Sequence, residues 1–130
     1  MPRHLLLVAL CAVALGAHAF GLGKLQALSG MNEPFEARIP LTGLVAEDID
    51  TVKVGLAPEA RFHAAHLERT PYLLTLQFEV KAERGKAPYI RVHSPELMRE
   101  PYLSFMVEAS MPGGKLAQQY TVLFDPPKGP

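Results

Sequence analysis

The stretch spanning residues 99–127, REPYLSFMVEASMPGGKLAQQYTVLFDPP, constrains the fold more than any other part of the chain. Leu103, Phe105, Val107 and Ala109 share one parity, with Ser104 and Glu108 on the other. Tyr120, Val122 and Phe124 repeat the pattern, opposed by Gln119 and Thr121. A period of two belongs to a strand with one face in a core and one in water. Between the two runs, Met111-Pro112-Gly113-Gly114-Lys115 supplies a turn, because glycine accepts positive φ without a Cβ clash. Pro126 and Pro127 end the second run, since neither offers an N–H to a ladder. Such a hairpin predicts a β-sandwich and names no chemistry.

The preceding residues supply the other strands in short pieces. Residues 24–28 read as a short strand and residues 29–34 as turn chemistry. Residues 35–41 alternate, with Phe35, Ala37, Ile39 and Leu41 inward and Glu36 and Arg38 outward. Pro40 places the far end of this strand at an edge or a bulge. Residues 46–50 suggest a helical turn, and residues 51–56 a strand with Val52, Val54 and Leu56 inward. Pro58 suits a first helical position. A short helix is therefore expected over residues 58–67, with Ala60, Ala64 and Leu67 on its inner side. Residues 72–81 alternate most regularly and predict one strand with Leu74, Leu76, Phe78 and Val80 inward. After a solvated loop at 82–88, residues 89–93 form a strand, and residues 94–101, with prolines near both ends, a connecting loop. The sum is an all-β, single-domain antiparallel β-sandwich of about seven strands with one short helix.

Residues 1–19 read as a removable leader. Met1-Pro2-Arg3-His4 is a short basic start, an apolar run follows, and Ala17-His18-Ala19 fits the small-x-small cleavage rule. The mature chain is then expected to begin at Phe20. A membrane-spanning helix is the competing reading, but the apolar run falls short of the roughly 18–20 residues a span needs. Cys11, the only cysteine, sits inside that run as apolar filler. Export without disulfides suits a bacterial periplasm better than a eukaryotic secretory route. One domain is expected over residues 20–127, with a tail at 128–130. The chain carries 13 basic and 13 acidic residues, and losing Arg3 tips the balance by one towards acid. Neither nucleic acid nor an anionic membrane is thus expected as partner, and no second apolar run follows that would span a bilayer.

Reactive groups are scarce. His63 and His66, three apart on the expected helix, have a spacing two metal ligands can use. No third ligand is evident beyond nearby Glu59 and Glu68, and two exposed helix histidines is the simpler reading. His93 is expected to face solvent. Ser29, Ser94, Ser104 and Ser110 lack a nucleophile-elbow setting. Zincin, Walker-type and dinucleotide motifs are missing. Glu47, Asp48 and Asp50 lack the alternating ligands of a calcium loop and suit the start of a solvated helical turn. Gly113-Gly114 precedes no helix, so it is a turn rather than a phosphate cradle. No catalytic, cofactor or metal residue is assigned. What remains is an interaction module docking through an edge strand, end loops or an apolar sheet face. Tyr72, Tyr89 and Tyr102, at expected strand starts, are the candidate partner-binding residues; ordinary packing is the alternative role.

Gly21-Leu22-Gly23-Lys24-Leu25-Gln26-Ala27-Leu28-Ser29 and Met31-Asn32-Glu33-Pro34-Phe35-Glu36-Ala37-Arg38-Ile39 together resemble the opening of the FimV/HubP-family N-terminal domain. Arg99-Glu100-Pro101-Tyr102-Leu103 and Tyr120-Thr121-Val122-Leu123-Phe124-Asp125-Pro126-Pro127, in that order and separation, are the most specific blocks. The resemblance covers nearly all of the mature chain. It implies a periplasmic domain of a polar organising protein linked to type IV pilus assembly and twitching motility, with no catalytic residues to carry over. In that family the domain precedes a LysM module, a membrane helix and an acidic cytoplasmic region. None of these is seen before Pro130, so peptidoglycan binding and hub activity are not carried over. The expected function is a non-enzymatic periplasmic protein-interaction domain. Its partner would be a periplasmic or inner-membrane envelope protein such as a pilus-assembly component. A stand-alone peptidoglycan- or carbohydrate-binding module is the alternative, weakened by the absence of tryptophan.

Overall fold

In a computed structural model, which describes residues 20–125, the chain runs β1 (Gly21–Leu22), β2 (Gln26–Ala27), β3 (Pro34–Thr42), β4 (Lys53–Leu56), helix α1 (Glu59–Ala64), β5 (Gln77–Lys81), β6 (Tyr89–Leu97), β7 (Tyr102–Met111) and β8 (Gly114–Leu123), with 3₁₀ turns at Ala46–Thr51 and Pro71–Thr75. The leader expected at residues 1–19, the prolines at 126 and 127 and the tail at 128–130 lie outside the described residues.

Every pairing is antiparallel. One sheet has the order β1-β3-β6-β5, with β2 also on β3; the other has β4-β7-β8. Since β1 and β2 are two halves of one edge, the described residues make an all-β sandwich of seven strands. Lettered in chain order these are A-B-E-D against C-F-G, the arrangement of immunoglobulin constant domains.

The split edge has a cause in Pro40. Leu41 donates to the Pro88 carbonyl 3.0 Å away, on the β6 side, while the Pro40 carbonyl accepts from Gly23 N at 2.8 Å on the other. Successive residues of a strand point their amides to opposite sides, so Pro40 lacks a donor towards β1 and β2, and the edge breaks there. The expected edge or bulge is thus a break in the neighbouring strand. Glycine suits the break, because a Cβ at Gly23 would crowd the Pro40 ring at 3.2 Å.

The β7–β8 hairpin closes at Met111 and Gly114 around Pro112 and Gly113, and Gly113 has φ +94°. Proline fixes its own φ and glycine takes the positive one, as a type II turn requires. In a two-residue loop the closing pair is hydrogen-bonded. Alternation then aims the backbone polar groups of Leu116, Gln118, Tyr120 and Val122 at β7. Those of Lys115, Ala117, Gln119, Thr121 and Leu123 point away from it.

The core lies between the sheets. Phe35, Ala37, Ile39 and Leu41 from β3 and Ile90 and Val92 from β6 meet Leu103, Phe105, Val107, Tyr120 and Val122 from the facing hairpin. Phe35 stands edge-on to Phe105 and to Phe124, at 6.3 and 6.0 Å between centroids, a favoured aromatic geometry. Burying each such ring contributes about 1.5–3 kcal/mol, which lets the described domain cohere without a disulfide.

Three expectations are corrected. Residues 72–81 are not one strand: Pro71 opens a 3₁₀ turn that buries Leu73 and ends before β5. Leu74, expected inside, is 65% exposed. The helix is shorter than expected, and Phe62, at 1% exposure, is its buried residue, whereas Ala60 and Ala64 are exposed. The loop expected from residue 94 begins late, because β6 continues to Leu97, which pairs with Pro34 beyond a register shift.

Candidate partner-binding site

The 3₁₀ turn at Pro71–Thr75 and the link from β6 to β7 meet at one end of the sandwich. There they enclose a recess of about 440 Å³. Leu67, Tyr72, Met98 and Leu103 form its apolar wall, Tyr102 its lip, and Glu68 and Glu100 its carboxylates. The Tyr72 hydroxyl donates to the Glu96 carbonyl at 2.8 Å, which fixes the ring against the end of β6. Burial of that phenol raises its pKa above the ordinary tyrosine value. Thr75 Oγ1 and the buried Ser94 Oγ, 2.7 Å apart, brace the same corner. Ser94 Oγ also accepts from Glu96 N at 3.1 Å.

Tyr102 is 57% exposed and pairs in register with Leu123, itself 81% exposed. Both side chains lie on the outer face of the hairpin, so an apolar patch continues from the recess onto the sheet. An amphipathic ring beside an apolar recess suits protein contact.

Of the three candidate tyrosines, the structure brings two together. Tyr89 starts β6, seven residues before Glu96 and so roughly 23 Å away along the strand. Its ring lies under the Arg38 guanidinium, 4.6 Å from the centroid. Leu67, Glu68, Met98 and Glu100 carry no partner-binding signal in the sequence. They flank the proline-bounded segments that the fold sets side by side, and that position is the trace the sequence holds of them.

The exposed face of the larger sheet carries a charge ladder. The Glu36 carboxylate accepts from Arg91 Nε and Nη2 at 2.7 and 2.8 Å, and this bidentate bond holds its pKa below the usual carboxylate range. Glu79 is lowered by hydrogen bonds from Lys81 and then His93. His93, expected to face solvent, has only 17% of its side chain exposed and lies 3.0 Å from Glu79 Oε1, because β5 sets Glu79 and Gln77 along the same outer face. His63 sits on α1, exposed, and His66 just after it at φ +55°. Among the described residues no group of three metal-binding side chains gathers. No helix among them is long and apolar enough to cross a membrane.

Residues 20–127 match the FimV N-terminal domain family, an Ig-like domain. The chain belongs to this family. It is 38% identical over 113 residues to the motility hub protein FimV of two strains of Pseudomonas aeruginosa, covering 85% of this chain and 12% of the length of those relatives. No solved structure matches it. The Ig-like description agrees with the strand order above. In this FimV N-terminal domain the Arg99-Glu100-Pro101-Tyr102 block leads into β7 beside the recess, and Tyr120 to Leu123 form the far end of β8.

Proposed function

We propose that this chain is a non-enzymatic, periplasmic protein-docking domain serving type IV pilus or cell-envelope assembly and motility. It engages an envelope protein, of the periplasm or inner membrane, through the recess between Tyr72 and Tyr102. Similarity to a motility hub protein supports the process, and the leader-like residues 1–19 support export. The observation that carries the docking role is the recess itself: a half-buried ring fixed by Glu96 and an exposed ring at the lip, continued by Leu123. A sugar platform would stack rings on several exposed aromatics. Tyr102 is the single large exposed aromatic among the described residues, which favours a protein partner.

The test is capture from an envelope extract by the purified protein and by Tyr102→Ser, alongside sedimentation with purified sacculi. One envelope protein should be retained by the wild type and lost with Tyr102→Ser, and the protein should stay in the supernatant above sacculi. Equal capture by both, or sedimentation with sacculi, would contradict the proposal.

A further inference from the structure

We propose that the free edge of β8 takes up an extended segment of a partner protein as an added strand. The inference rests on the docking role above and uses the neighbouring backbone edge, which meets the recess patch at Leu123.

β8 is ten residues long, contains no proline and, among the described strands, pairs only with β7. The hairpin register leaves the N–H and C=O groups of Lys115, Ala117, Gln119, Thr121 and Leu123 turned away from β7. Among the described residues the only hydrogen bond to one of them is a 3.5 Å contact, from the Gln118 amide to the Gln119 carbonyl. Long, flat edges are ordinarily blunted by charge, proline or bulges. Here the single charge, Lys115, stands at one end, and the edge from Ala117 to Leu123 has none.

The surroundings suit a strand with two distinct faces. Beside the edge, towards the other sheet, a gap of about 460 Å³ is lined by Leu22, Lys24, Leu25, Gln118, Tyr120 and Thr121. It lies against Gly23 to Leu25, the stretch between β1 and β2 where the edge strand breaks opposite Pro40. An apolar side chain of an incoming strand would fill this gap against Leu22 and Leu25. On the outer face another would cover Leu123, which no described neighbour shields.

Charge selects the occupant. Lys24 lines the gap, and no described carboxylate lies within salt-bridge reach of it. An acidic residue in the incoming segment would complement it. A second copy of β8 fits less well: it has no acidic residue, and the antiparallel register centred on Gln119 sets Leu123 opposite Lys115. The occupant is therefore a segment of another protein, alternately apolar, with one carboxylate. Main-chain hydrogen bonds supply its affinity and the alternate side chains its specificity.

The probe is a displayed library of random segments of about nine residues, selected on the purified protein. Gln119→Pro removes an N–H that faces away from β7, so the hairpin ladder is retained. Circular dichroism and the thermal transition check that it folds, and Ala117→Pro, whose N–H also faces away from β7, is the second blocking variant. The selected pool should alternate apolar and polar residues and contain an acidic one. Its affinity should fall ~10-fold or more with either blocking variant, Lys24→Glu should remove the acidic preference, and Tyr102→Ser should leave binding unchanged. Failure to select any segment, a pool without alternation, or equal binding to both blocking variants would overturn the edge proposal. Loss of binding with Tyr102→Ser alone would assign the segments to the recess and also overturn it, while leaving the docking role intact.

Discussion

The Tyr120 hydroxyl donates to the Gly23 carbonyl at 2.8 Å, tying β8 to the break between β1 and β2. The ring belongs to the core beside Phe105, 6.1 Å between centroids, and its polar tip reaches out to the opposite sheet. Burial pushes the Tyr120 pKa up to about 12, because the charged phenolate would lose hydration.

Tyr120→Phe keeps the ring and removes the bond to Gly23. It should lower stability by about 1 kcal/mol, read by chemical denaturation. For the wild type the sign follows from a folded value raised above the unfolded one near 10. The neutral tyrosine stabilises the fold fully below that value, and its contribution is lost as pH rises through about 12. Beyond the raised Tyr72 phenol, phenolate absorbance should show a last phase near pH 12, with unfolding; in Tyr120→Phe this last phase should be missing.

Phe62 anchors α1 against the core and under the Arg69 guanidinium, whose carbon lies 5.7 Å from the ring centroid. Phe62→Ala should cost about 3–5 kcal/mol. Ala60→Ser and Ala64→Ser, on the exposed side, should stay within about 0.5 kcal/mol of wild type. Denaturation midpoints of the three variants test the helix register, and comparable losses at all three would contradict it.

Leu73 and Leu74 make the same kind of pair in the 3₁₀ turn. Leu73→Ala should cost about 2–5 kcal/mol, while Leu74→Thr should be nearly silent. The opposite ranking would restore a continuous strand over residues 72–81.

The Glu36–Arg91 pair predicts an acid-sensitive contribution to stability. Its folded carboxyl pKa is depressed, chiefly by the Arg91 hydrogen bond. The contribution is present above the unfolded value near 4.3 and is lost as pH falls through the lower folded value. Glu36→Gln should cost about 0.5–1 kcal/mol at neutral pH, and the gap from wild type should close on acidification. A gap that persisted at the acid end would show that the charge is not its source.

The closing hairpin was legible in the sequence because each of its strands has one face in the core and one in water. Alternation failed at residues 72–75, where Leu73 and Leu76 lie three apart. That spacing eclipses side chains in a 3₁₀ turn, and Pro71 fits its first position. The helix was placed correctly, but three small or aliphatic residues could not set its register against one phenylalanine. The continuation of β6 past Ser94 depends on Pro34, sixty residues earlier, and was hidden by the prolines around it. Tyr72 and Tyr102 could be named as candidates, yet their shared recess depends on chain crossings that local pattern does not encode. For the same reason His93 was read as solvent-facing, since Glu79 reaches it only across a strand pair.

The docking role of the Tyr102 recess can be read from twitching motility in a host strain lacking this chain, complemented with wild type, with Tyr102→Ser, or with the outer-sheet control Arg38→Gln. A reduced twitching zone is expected in the deletion strain, restored by wild type and by the control but not by Tyr102→Ser at equal protein level. Full restoration by Tyr102→Ser, or an undiminished zone in the deletion strain, would contradict it.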